Sequence, residues 1–319
     1  MRLSIGGLVF CGLMAVGVPV HAQGTGSVST GLADALTPVA GMVPCTNPGA
    51  NVQPDVFPVQ TGTATTTDGK RFVMPAPVQE GPFAVDLFND CHGTGANPDW
   101  AQQLQTVVID PDGVDITGFI FADNYYELYV NGRYVARDRV AMTPFNSTVV
   151  RFRAKYPMTY AFKAIDWETK VGLGMEYRSF NIGDGGLIAY FSDGNGTHGD
   201  WRAETFYVAP LDDVACVRAG TAGRDSTFCA QAVRPTCAQR DPLTCQSLHF
   251  DVPPQWNAPG FDAGGWPAAI TWRASEVTNA PGYVNYRQMF GDAEFIWTRN
   301  IRLDNLVLAR FTATGPRRR

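Results

Sequence analysis

Three groups of residues in this chain have types and spacings that could do chemistry. Asp166 and Glu168 flank Trp167, and Glu176 follows in the glycine-rich segment GLGMEY. On a strand, Asp166 and Glu168 would share one face with Cα atoms about 7 Å apart, a spacing compatible with the carboxylate pairs of glycoside hydrolases. Such pairs are also common on exposed strand faces, so hydrolysis stands as an alternative reading. Asp110, Asp112 and Asp115 crowd around Gly113, and Asp193, Asn195 and Asp200 form a comparable loop. Calcium takes about six to eight oxygens, and neither stretch carries the closing glutamate of an EF-hand loop. Both read first as turns and second as weak calcium sites. Tyr125, Tyr129 and Trp201, with Trp100, Trp256, Trp266 and Trp272, could stack on the apolar face of a sugar ring. Asp123, Asn124 and Arg133 would then hydrogen-bond its hydroxyls. Trp266, between Gly265 and Pro267, and Trp297, in an apolar run, read instead as core packing.

Other chemistries find little in the chain. There is no Gly-x-Ser-x-Gly elbow, His-Glu-x-x-His pair or phosphate loop. His92, His198 and His249 are scattered, and adjacent Cys91 and His92 would point apart on extended backbone. A net charge of −5 argues against nucleic acid as a partner, and Arg317-Arg318-Arg319 reads as a solvated tail.

The elements that must position these residues are strands. TGFIFADNYYELYVNGRYVA, Thr117 to Ala136, reads as a strand followed by a hairpin closed at Asn131-Gly132. A type I′ turn needs positive φ at both central residues, which Asn-Gly supplies. Counting outward, Val130 faces Arg133, Tyr129 faces Tyr134 and Leu128 faces Val135, with Leu128 and Val135 in the core and the tyrosine pair on the opposite face. STVVRFRAK alternates Val150 and Phe152 inward with Arg151, Arg153 and Lys155 outward. GGLIAYFSDG and the final run around Leu306 to Phe311 are apolar on both faces and read as central strands. Before Thr106 the composition is rich in Pro, Gly and Thr. It predicts a disordered leader, at most a turn or two of helix near Leu32 to Ala40, irregular structure with short edge strands, and a helical turn at Asp99 to Leu104.

The opening residues read as a secretory signal. Arg2 supplies the positive charge, Leu3 to Val18 a short apolar run, and Val20-His21-Ala22 a cleavage site. No stretch has the length of a spanning helix, so the expectation is a secreted or periplasmic protein without membrane insertion. Removing Cys11 with the signal leaves Cys45, Cys91, Cys216, Cys229, Cys237 and Cys245. An even number in an exported chain favours disulfides. Four of them fall in one short segment, which predicts a local stapled loop and leaves Cys45 and Cys91 as a natural remaining pair.

ADNYYELYVNGRYVARD resembles the ADxxxxxYVNGxxV hairpin of galactose-binding-like jelly rolls, a fold found in carbohydrate-binding modules of secreted proteins. FDAGGWPAAITW is similar to the F-D-D-S-x-W-P-x-A segment of that group, and Glu294-Phe-Ile-Trp297 resembles its x-W-I-W strand. Here these two elements follow the hairpin instead of preceding it. The resemblance covers about Thr106 to Thr312 and implies an all-β, antiparallel β-sandwich. The expected organisation is a signal peptide (1–22), an irregular region (23–105), a sandwich body (106–213), a Cys-rich disulfide-stapled insert (214–249), C-terminal strands completing the sandwich (250–312) and a basic tail (313–319). The implied function is non-catalytic binding of a cell-envelope or extracellular glycan. The alternatives are an adhesive surface protein with a protein partner, or the glycoside hydrolase named above.

Overall fold

A computed structural model describes residues 26–43, 59–91, 95–141, 146–176, 180–221, 223–278 and 280–317. The expected signal segment and Cys45 lie outside the described residues. The N-terminal part supplies β1 (Ser27–Thr30), β2 (Asp34–Pro38), β3 (Gln60–Thr65), β4 (Arg71–Met74), β5 (Val85–Asn89), β6 (Gly95–Ala96) and the one-turn helix α1 (Trp100–Gln103). The body adds β7 (Thr106–Val108), β8 (Val114–Asp123), β9 (Tyr125–Val130), β10 (Arg133–Arg137), β11 (Asn146–Ala154), β12 (Met158–Ile165), β13 (Gly186–Phe191) and β14 (Arg202–Leu211). The cysteine-rich segment holds β15 (Arg218–Gly220), β16 (Gly223–Asp225), α2 (Thr236–Arg240) and β17 (Gln246–His249). After it come β18 (Ile270–Trp272), α3 (Ala274–Val277), α4 (Pro281–Val284), β19 (Phe295–Trp297) and β20 (Asp304–Ala313).

These strands make a mostly antiparallel, all-β architecture. One sheet has seven strands in the order β1-β17-β14-β20-β12-β9-β10. The other has eight: β18-β19-β13-β8-β11-β5-β6 along the main path, with β7 beside β11. The β7–β11 pair is parallel and the other named strand pairs are antiparallel. From β8 to β14 the chain passes back and forth between the two sheets. β2, β3 and β4 form a third, small sheet.

The hairpin forms where the sequence places it. Asn131 and Gly132 take φ of 49° and 76°, the left-handed pair that a type I′ turn demands. Arg133 opposes Val130 and Tyr134 opposes Tyr129 as expected. The register then shifts, and Leu128 faces Ala136, not Val135. A bulge absorbs the extra residue, so Val135 and Ala136 are both buried in the same core as Leu128.

The seven-stranded sheet is covered on both faces. On one face Leu128, Tyr160, Phe162 and Val307 meet Ile120, Val150, Phe152 and Phe191 of the eight-stranded sheet. On the other, Tyr125, Tyr129, Ile165, Tyr207 and Leu308 pack under Ala64 and Met74 of the small sheet, Cys229 of the cysteine-rich segment, and Trp256 and Trp266. This second cover corrects the expected outward tyrosine face. Between Tyr125 and Tyr129 lies Glu127, fully buried. Its carboxylate accepts from both phenols (3.2 and 2.7 Å) and from the Gln79 amide (2.7 Å), and pairs with Lys163 Nζ at 2.8 Å.

Two expected boundaries also move. Residues 27–30 are not leader but the edge strand β1, pairing with β17, and Ser29 Oγ lies 2.6 Å from His249 Nε2. Residues 34–38 form strand β2, where the sequence predicts a helical turn at most. The insert does not end outside the sandwich, because β17 is inserted between β1 and β14. Short polar strands such as Ser27–Thr30 carry little periodic signal; their partner's backbone fixes them. Two disulfides, Cys216–Cys229 and Cys237–Cys245, staple the segment as expected. Cys91 is disulfide-bonded as well. Among the described residues no helix is long and apolar enough to cross a membrane.

Removing the Glu127 carboxylate leaves Lys163 and two phenols without their acceptor between packed layers. Glu127→Ala should lower the unfolding free energy by about 3 kcal/mol, and Arg133→Ala at the exposed hairpin tip by less than about 0.5 kcal/mol. Urea denaturation of the two variants checks this. Equal, small losses would mean that the Glu127 cluster does not hold the second cover in place.

Candidate functional site

The carboxylates singled out by spacing do not form an exposed pair. β12 ends at Ile165, so Asp166 and Glu168 lie beyond the strand, both buried. Glu168 accepts from the amides of Gly172 (2.8 Å) and Gly174 and from the Tyr207 hydroxyl (3.2 Å), which ties down the following loop. Asp166 is hydrogen-bonded to Glu176, and its Oδ1 has no partner. Burial first, then nearby carboxylates (Glu176 and Asp184 for Asp166, Asp123 and Asp184 for Glu176), push both groups well above the usual carboxylate range, so the hydrogen-bonded pair holds a proton between them. Gly183 fits here because a Cβ would stand 3.0 Å from Asp166 Oδ1 and from the Glu176 carboxyl carbon. Two carboxyls in hydrogen-bond contact leave no room for the sugar and water that separated hydrolase carboxylates, about 5 Å or more apart, must flank.

The first aspartate loop carries cations of the protein itself. Asp112 pairs with Lys155 Nζ, and Asp115 takes Arg153 Nε and Nη2 at 2.7 and 2.8 Å. Asp110 accepts the Lys155 amide at 2.9 Å. The partner cations hold Asp112 and Asp115 below the usual range. In the second loop, Asp193 accepts from the hydroxyls of Tyr156 (2.6 Å) and Tyr160 (2.8 Å) and from Asn195. Among the described residues no group of three or more His, Cys, Asp or Glu side chains is arranged to hold a metal ion. In this structure Asp110, Asp112 and Asp115 serve the turn and the ion pairs with Arg153 and Lys155.

The proposed sugar platform is also dispersed. Trp201 is fully buried between Phe162 and Phe311, with Nε1 donating to Gly196 O at 2.8 Å. Tyr125 and Tyr129 serve Glu127 inside the second core, and Trp256 packs edge-on against Tyr129. Asp123 and Asn124 are buried, Asn124 Oδ1 accepting the Trp167 amide at 2.5 Å. Arg133 is exposed at the other end of β9, which separates it from Asp123 by a strand length of about 20 Å. None of these aromatic faces is open beside these polar groups.

The structure brings a different set together. A cleft of about 350 Å³ is lined by Asp86 and Asn89 of β5, Asn97, Gln103 of α1, and Arg139. Pairing of β5 with β11 sets Asn89 opposite Asn146. Asp86 accepts from Asn89 Nδ2 at 2.9 Å and from Asn146 Nδ2 at 3.4 Å. Burial raises the Asp86 carboxyl above its usual range, opposed by these amides and by the Arg139 charge. Asn97 Nδ2 donates to the Asp86 carbonyl (2.8 Å) and exchanges hydrogen bonds with the Gln103 amide (3.2 and 3.3 Å). The lining therefore offers a carboxylate and side-chain amides held by mutual hydrogen bonds, together with the exposed Arg139 guanidinium, which lies over the Phe83 ring. All but Arg139 come from residues before Thr106, the region the sequence reads as irregular. The density of Asp, Asn and Gln in DLFND and GANPDWAQQLQ is the signal that could have pointed to it.

The buried carboxyls make stability depend on pH. Burial raises Asp138, Glu168 and Asp304 to about 7, against about 4 in an unfolded chain. Between those values the folded state binds more protons, so this stability is complete at the acid end and is lost as the pH rises through 7. His249 opposes it. Burial, with Phe72 and Tyr207 stacked on its two sides, lowers it to about 4. Its contribution is therefore present above about 6.5 and lost as the pH falls toward 4. Three groups outweigh one, and unfolding free energy should be higher at pH 5.5 than at pH 8 by on the order of 4 kcal/mol. Glu168→Gln should reduce that difference by about 2 kcal/mol. Urea titrations at the two pH values measure both, and equal stability at pH 5.5 and 8 would contradict the buried, proton-holding carboxyls.

Compared with known proteins, this chain matches no protein-family model, no curated protein and no solved structure.

Proposed function

We propose that this protein is an exported, non-catalytic β-sandwich that binds carbohydrate of a cell envelope or extracellular polymer, with the cleft around Asp86, Asn97 and Arg139 as its binding surface. The observation that carries the reading is the chemistry of that cleft. A carboxylate accepts from hydroxyls, side-chain amides both donate and accept, and a guanidinium donates in a fixed fork. Together they suit a ligand whose surface is a set of alternating hydroxyl donors and acceptors. The mutual hydrogen bonds of Asn97, Gln103, Asn89 and Asp86 hold the groups in place before a ligand arrives, which reduces the ordering cost of binding. A volume of about 350 Å³ falls within the range of small-molecule sites, about 300–1,000 Å³.

Two further features support the reading. The passage of the chain back and forth between sheets from β8 to β14 is what a jelly roll does, in keeping with the galactose-binding-like resemblance of the hairpin. The disulfides fit an oxidising compartment outside the cytosol.

A glycan array probed with the mature protein should show selective binding, unchanged by a calcium chelator. Asn97→Ala and Arg139→Ala should each weaken it by about tenfold, the scale of one lost hydrogen bond to a charged or fixed partner. Trp201→Phe, a core change, should leave it intact in protein that remains folded. A blank array with a folded sample would refute carbohydrate binding.

A further inference from the structure

Three of the residues that line the cleft stand side by side. The Val43 amide donates to the Arg139 carbonyl at 2.9 Å, which makes these two residues neighbours. The Arg139 charge in turn acts on the Asp86 carboxyl. Val43 packs against buried Cys91 and Val140, so its alkyl wall is held in place. The two ionic groups are opposite in sign. An ammonium drawn to Asp86 is opposed by Arg139, and a carboxylate drawn to Arg139 is opposed by Asp86, so the wall favours a neutral ligand. Toward such a ligand a carboxylate accepts, a guanidinium donates, and a valine side chain offers no hydrogen bond. A hydroxyl turned toward Val43 would give up water without a replacement. A secondary amide ending in a methyl matches all three, because its N–H, its carbonyl oxygen and its methyl are carried on two bonded atoms.

We propose that the cleft selects an N-acetylhexosamine, with the acetamido N–H toward Asp86, its carbonyl oxygen toward Arg139 and its methyl against Val43. The inference rests on the carbohydrate reading and names the class of sugar. Asn97 gives its amide hydrogens to the Asp86 carbonyl and to Gln103 Oε1, so it positions the cleft and takes no part in this selection. Burying the methyl is worth about fourfold in affinity, and a hydrogen bond to a charged group about tenfold. A parent hexose recovers part of the second with its own hydroxyl and none of the first.

The test is calorimetric titration of the mature protein with matched methyl glycosides: N-acetylglucosamine, glucosamine and glucose, and N-acetylgalactosamine, galactosamine and galactose. In at least one series the N-acetyl sugar should bind about tenfold or more tighter than both the amine and the hexose. Val43→Thr, which keeps the shape of the side chain and puts a hydroxyl in place of a methyl, should reduce that preference by about threefold or more and leave the hexose affinity unchanged. Asn97→Ala should weaken all members of the series alike. N-acetyl glycosides bound no tighter than their hexoses, or not at all, beside a positive glycan array, would overturn the acetamido assignment and leave the sugar site standing. An amine bound tightest would overturn it by showing that Asp86 selects a cation. A preference untouched by Val43→Thr would overturn the placement of the methyl. No glycoside bound, together with a blank array, would refute the carbohydrate reading and this inference with it.

Discussion

A sheet covered on both faces has no wet side, and the rest of this molecule follows from that constraint. In an ordinary sandwich strand every second residue can be polar and reach solvent. In β9 all six residues are buried, and Glu127 must find its partners inside the protein. It does so through Lys163, two phenols and a backbone amide. Arg310 on β20 solves the same problem by donating to the carbonyls of Trp256, Ala258 and Phe261. Arg224 lies over the rings of Phe206 and Phe250 and donates to Thr205 O. Asp304 accepts from Ser226 and Thr298. The irregular segments on the outer face are thus selected by polar groups of the sheet as much as by its apolar ones. A segment that failed to supply a carbonyl or an amide at the right place would leave a charge unpaired in the core.

The fold was legible where local chemistry decides it. Asn131-Gly132 announces its turn because few other residue pairs accept that backbone, and the alternation of Val150 and Phe152 with Arg151 and Arg153 announces a strand with one wet face. Legibility failed where a partner distant in sequence decides. Ser27 to Thr30 become a strand because β17, more than 200 residues later, offers its backbone, and nothing in the short Ser-Val-Ser-Thr run foretells this. The bulge at Val135 is invisible for a related reason: both candidate registers bury an apolar side chain, so the hydrophobic pattern does not choose between them.

The structure places the aromatic candidates Tyr125, Tyr129 and Trp201 inside the protein. Aromatic residues near loops look like platforms only if the sheet has an open face, and the second cover closes it. Once Tyr125, Tyr129 and Trp201 belong to cores, the search for a ligand surface moves to the place where the covers end. That place is the margin where β5, α1 and β10 leave the sandwich partly open, and the hydrogen-bonding residues found there come from a part of the chain with too little periodicity to attract notice. The residues proposed for binding need no periodicity, and β5, paired with β11, carries Asp86 and Asn89 among them.

The seven-stranded sheet takes its central strand from far down the chain. β20 runs between β14 and β12 and bonds to both, so within the sheet it divides the strands made earlier into two groups whose backbones are paired only through it. During synthesis the hairpin of β9 and β10 with β12 can form on one side, and β14 with β17 on the other, but the sheet stays split until residues 304–313 arrive. Closure of such distant pairs is slow, and until then two rows of unpaired backbone groups flank the gap. A polypeptide delayed in this way keeps two half-sheets, each with an open edge, until residues 304–313 are made.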